Sequence, residues 1–75
     1  MSFHIYSADE ILHMAEQIER NGAHFCRKEA DVVKDKKIAK VFLDFAAGEE
    51  GHERAFASMR ENLTVLERQP TVFDP

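Results

Sequence analysis

The chain has 75 residues, 44% of them hydrophobic and 32% charged, with a formal net charge of −4. That length allows one small domain, and the apolar content is too high for general disorder. A negative balance with no face rich in Lys and Arg argues against nucleic acid as the main partner.

Residues 1–6 form a short N-terminal arm whose Phe3, Ile5 and Tyr6 can pack on the body or on a neighbouring chain. The arm has no basic region and no long apolar core, so it is not expected to be a signal peptide. Ser7-Ala8-Asp9-Glu10 reads as a capping box: Ser7 can accept from the Glu10 backbone N–H while the Glu10 side chain reaches back. The spacing predicts a first helix over about 8–33. Its inner stripe is Leu12, Ala15, Glu19, Gly22, Cys26, Ala30 and Val33, flanked by Ile11, Ile18 and Phe25.

Residues 34–36 are the expected turn, with Asp35 as the N-cap of a second helix over about 36–67. Pro70 ends the pattern, and residues 68–75 read as a loose tail. Gly48 and Gly51 fall inside the second helix, where each costs roughly 1 kcal/mol relative to Ala. They flank the polar positions of that helix, so close approach by another backbone is one reason for them. Simple weakening of the helix is the other.

The second helix carries the chemistry. Stepping alternately by four and three gives Ile38, Phe42, Phe45, Glu49, His52, Phe56, Met59, Leu63 and Leu66, and only Glu49 and His52 are not apolar. At i, i+3 they share one helix face. A carboxylate and an imidazole in an apolar stripe need a compensating partner, and a metal ion can serve both. The simpler alternative is a satisfied hydrogen-bonded pair. Glu19 sits on the inner stripe of the first helix between small residues, roughly three turns before the turn, and Glu49 roughly four turns after it, so a hairpin can bring them near the same level.

The expected fold is all-α: an antiparallel two-helix hairpin that dimerises into a four-helix bundle, because two helices with wide apolar stripes cannot cover each other. A two-fold axis then gathers four carboxylates and two imidazoles. Their charge is balanced by two divalent cations, and one Glu plus a Glu-x-x-His from each half is the general ligand pattern of di-iron and di-manganese bundles.

The residues also carry a resemblance. Ile18-Glu19-Arg20-Asn21-Gly22-Ala23-His24-Phe25-Cys26-Arg27-Lys28 resembles the first-helix motif of rubrerythrins, and Val41-Phe42-Leu43-Asp44-Phe45-Ala46-Ala47-Gly48-Glu49-Glu50-Gly51-His52 their second. In length and single helix pair the chain is similar to the encapsulated ferritins, which are half-ferritins of the ferritin-like superfamily. The resemblance covers roughly residues 8–67. It implies that Glu19, Glu49 and His52 are iron ligands, with Glu49 bridging two metals at the interface of a homodimer. Manganese or zinc are possible substitutes. It further implies ferroxidase activity for iron storage or detoxification, rings of dimers, and an encapsulin shell. Where the family often has carboxylates beside the first ligand, this chain has Ile18 and Asn21.

Two other functions share these residues. One is a rubrerythrin-like peroxide reductase. The other is a non-enzymatic dimerisation module clamped by metal. The single cysteine supplies neither an internal disulfide nor a four-cysteine rubredoxin site. Cys26 is therefore read as a small core residue. Glu16, Glu50, His13 and His24 are expected in solvent. Glu53, one turn after Glu49, is either a solvated carboxylate or a group that steers iron. With no apolar run near 18 residues, no membrane span is expected, and the simplest compartment is the cytoplasm.

Overall fold

The computed structural model describes residues 4–73; Phe3 of the arm lies outside them. Two long helices, α1 (Ala8–Val32) and α2 (Lys36–Glu61), pack against each other as an antiparallel hairpin. Two short strands, β1 (His4–Tyr6) and β2 (Thr71–Phe73), join the chain's two ends. No helix among the described residues is long and apolar enough to cross a membrane.

Both N-caps are where the sequence puts them. Ser7 accepts from the Glu10 backbone N–H at 3.1 Å. The return contact differs in detail: the Ser7 hydroxyl donates to Glu10 Oε1 at 3.2 Å, so Glu10 holds the side chain of its cap. Asp35 accepts from the backbone N–H groups of Lys37 and Ile38, which satisfies two of the free donors that begin α2. Between the helices, Val33 turns extended and closes α1 with a bond to the Glu29 carbonyl.

The second helix stops six residues short of the expected 67, and the residues after it, as far as 73, fold back as turns and a strand. Asn62 caps α2, its side-chain amide donating to the Ser58 carbonyl at 2.9 Å. Arg68 then folds back and donates to the Arg60 carbonyl at 2.8 Å, covering an acceptor that a continued helix would have used. Thr64 and Glu67 exchange side-chain-to-backbone bonds at 2.9 and 3.1 Å, closing a turn of their own. That turn delivers β2 to β1 in antiparallel register, with Ile5 opposite Val72. Arg68 also reaches Asp9 at 3.1 Å and ties the tail to the start of α1.

The principal extents are 48 × 32 × 12 Å, so the molecule is one helix thick. One layer encloses little. Among the described residues, the buried apolar ones are Ala23, Cys26 and Ala46, with Phe42 packed against them. The face that each helix turns to the other follows Leu12, Glu16, Glu19, Ala23, Cys26 and Ala30 on α1, and Phe42, Ala46, Glu49, Glu53, Phe56 and Arg60 on α2. Both runs step by four and three, as a helix pair at a shallow angle requires.

A second apolar stripe is exposed among the described residues. Ile11, Ile18, Phe25 and Val32 recur every seventh residue on α1 and are 41 to 69% exposed. Ile38, Phe45 and Met59 recur in the same way on α2, at 49 to 61%, and His52 holds the position between Phe45 and Met59. The broad apolar stripe expected on α2 therefore divides. Phe42, Glu49 and Phe56 turn toward α1, whereas Ile38, Phe45, His52 and Met59 turn outward.

Candidate metal centre

Consecutive residues of an α-helix lie about 100° apart around its axis. On α1, Ile18, Glu19 and Arg20 thus cross the hairpin from one flank, over the helix interface, to the other. Arg20 binds Glu53 at 2.6 Å, and Arg27, two turns on, pairs with Glu50. These ion pairs define a charged flank. A shallow groove of about 200 Å³ there is lined by Arg20, Ala23, His24, Arg27, Glu50 and Glu53. Both of its arginines are already paired. The opposite flank carries the open apolar stripes and His52.

Glu19 and His52 meet at the edge between the interface and the apolar flank. His52 Nδ1 is 3.5 Å from Glu19 Oε2, with side-chain exposures of 68% and 22%. Two donors about 2.1 Å from one tetrahedral ion lie roughly 3.4 Å apart, so this separation fits two ligands of one cation as well as it fits an ion pair.

Glu49 is one helical turn away, on the α1 side. Its carboxylate lies over Gly22: a Cβ at that position would overlap Oε2 and come within 2.8 Å of Cδ. The Cys26 thiol donates to Oε1 at 3.4 Å, within the range for sulfur. Burial, together with the Glu49 carboxylate, pushes the Cys26 thiol above its ordinary pKa, so the group is a neutral donor. Cys26 is buried, as expected of a core residue.

The three sequence-predicted ligands thus fall within two levels of the hairpin. They do not form one constellation. Among the described residues of a single chain, no group of three or more His, Cys, Asp or Glu is arranged to hold a metal ion. The donors are carboxylate oxygens and imidazole nitrogen with one neutral thiol nearby, a set suited to iron or manganese more than to structural zinc.

Three acidic residues differ from expectation. Glu16, expected in solvent, is 4% exposed and bound by Arg60. The Arg60 Nη2 donates to Oε1 at 3.1 Å, while Nε lies 2.7 Å from Oε2 without hydrogen-bond alignment. The signal was available: Glu16 stands four residues after Leu12 and three before Glu19, on the face that meets α2. Glu50 and Glu53 are taken up by Arg27 and Arg20 on the charged flank. His13 and His24 are exposed, as expected.

Compared with known proteins, the chain matches no family model, no curated protein and no solved structure.

Proposed function

We propose that two copies of this hairpin pair through their apolar flanks as a four-helix bundle, and that Glu19, Glu49 and His52 of both copies bind two Fe²⁺ ions for oxidation by O₂. The observation that carries the reading is the position of His52. It occupies an outward heptad site between Phe45 and Met59 while reaching Glu19 at 3.5 Å. A partner seated on that stripe would enclose the imidazole and bring its own Glu19, Glu49 and His52 to the same place. Enclosure matters because a ligand set left in water binds ions weakly.

In this reading iron is the substrate. Two Fe²⁺ each give up one electron, and O₂ takes both electrons and two protons and leaves as hydrogen peroxide. The chain's own groups bind and neutralise. Four carboxylates offset the charge of two divalent cations, and the imidazoles supply neutral nitrogen donors. Phe25, Phe45 and Ile18 would keep bulk water away, which strengthens every charge interaction inside.

The pairing of Glu19 and His52, with Glu49 held apart, also favours a second reading, in which the ion only clamps the dimer. Zinc would then tighten the dimer and no iron would be oxidised. Anaerobic Fe²⁺ titration followed by oxygen separates the two. The ferroxidase reading expects about two irons oxidised for every two chains, and loss of that activity in Glu49→Ala and His52→Ala. Oxidation at the wild-type rate in both variants would refute it. Peroxide in place of oxygen as the faster oxidant would assign the site to a peroxide reductase.

A further inference from the structure

We infer that Gly22 and Cys26 form a built seat that fixes the Glu49 carboxylate before any metal arrives. The inference deepens the metal reading and in part rests on it. Two independent features of α1 converge on one carboxylate. Gly22 removes the Cβ that would otherwise overlap Oε2, so the side chain of Glu49 lies flat against the helix. Cys26, one turn later on the same face, donates its thiol proton to Oε1 at 3.4 Å.

Both residues act through the Glu49 carboxylate, so both are positioning residues. A glutamate on a helix has three rotatable side-chain bonds and sweeps a wide volume unless something restrains it. The seat restrains it. The thiol engages one oxygen and leaves Oε2 over the glycine, which has no Cβ there. Gly22 is otherwise a poor choice for the middle of a 25-residue helix, since glycine is among the weakest helix formers. Gly48 has open space around its Cα, and Gly51 meets only a distant arginine terminus. Gly22 alone of the three has a carboxylate laid across it.

The seat can be tested with and without metal. In the metal-free protein, the probe is the rate at which Cys26 reacts with the water-soluble disulfide dithiobis(nitrobenzoate). Losing the carboxylate contact should speed labelling at least about fivefold in Glu49→Ala and in Gly22→Ala. The second variant is the sharper one. Alanine is a better helix former than glycine, so a loosened fold would not explain faster labelling, whereas eviction of the carboxylate would.

With metal, the probe is Co²⁺, read by its visible absorption and its dissociation constant. Gly22→Ala and Cys26→Ala should weaken Co²⁺ binding roughly 10- to 100-fold, as loss of groups that orient a ligand does. Cys26→Ser, which keeps a donor, should stay near wild type. Unchanged labelling in Gly22→Ala, or unchanged Co²⁺ affinity in both weakened variants, would overturn the seat. A wild-type protein that binds no Co²⁺ would instead defeat the metal reading, and the labelling rates would still decide whether the seat exists.

Discussion

Arg60 reaches 44 residues back along the sequence to hold Glu16, a carboxylate with a side chain 5% exposed, near the open end of the hairpin. The pair is asymmetric, because Arg60 itself keeps 31% of its side chain in water. Removing the arginine strands a buried charge, whereas removing the glutamate leaves a cation that can turn to solvent. Arg60→Ala should therefore destabilise the hairpin by roughly 2 kcal/mol, and Glu16→Leu by clearly less. Urea unfolding of the two variants checks the order. Equal losses would mean that Glu16 is not buried in solution.

The ion pairs of the charged flank should behave differently. Arg20–Glu53 and Arg27–Glu50 involve arginines about half or more exposed. Exposed pairs contribute within about 1 kcal/mol and are screened by salt. Arg27→Ala should shift the unfolding midpoint little, and the shift should shrink further at high ionic strength. A large, salt-independent loss would show that this flank is covered.

Glu67 gives a pH signature. Its carboxylate accepts from the Thr64 backbone N–H, and this holds its pKa below the ordinary glutamate value. A depressed folded-state pKa stabilises the fold above the unfolded value and loses that contribution as pH falls through the folded value. The tail turn should thus loosen on acidification, below the pH at which a free glutamate titrates. Side-chain NMR should show Glu67 titrating below the ordinary glutamate value. Shortening Glu67 to Ala should remove the transition and destabilise the β1–β2 pairing.

The apolar flank predicts association. Ile18, Phe25, Ile38 and Phe45 are 49 to 69% exposed, and the proposed pairing would cover them. If the proposed dimer forms, Phe45→Asp should raise its dissociation constant at least about tenfold by sedimentation, since it places a charge in the apolar flank. Fe²⁺ should strengthen the wild-type dimer, because clustered carboxylates repel one another without cations. Identical sedimentation of the metal-free and iron-loaded protein would count against a shared site.

Much of this arrangement was legible in the sequence. Ser7 and Asp35 are side chains whose preferred hydrogen bonds define helix starts, so both starts are fixed by local chemistry. The end of α2 was not legible. Leu63 and Leu66 continue the apolar period, and the bonds that stop the helix come from Arg68 and Asn62, which the period does not register. The strand pairing of the two ends joins residues far apart in sequence, and no local signal carries such a register. The period singled out Glu19, Glu49 and His52 as candidates but could not divide one broad stripe into two faces. Tertiary packing made that division: it sent Glu49 toward Gly22 and His52 outward, and it buried Glu16, which a stripe drawn through Ala15 passes by.

Native mass spectrometry of the metal-loaded chain tests the central claim most directly. The account predicts a species of two chains carrying two metal ions, and the loss of both the second chain and the ions in Phe45→Asp. A single chain that binds its metal with full affinity, or a dimer whose metal content is unaffected by Glu49→Ala and His52→Ala, would contradict it.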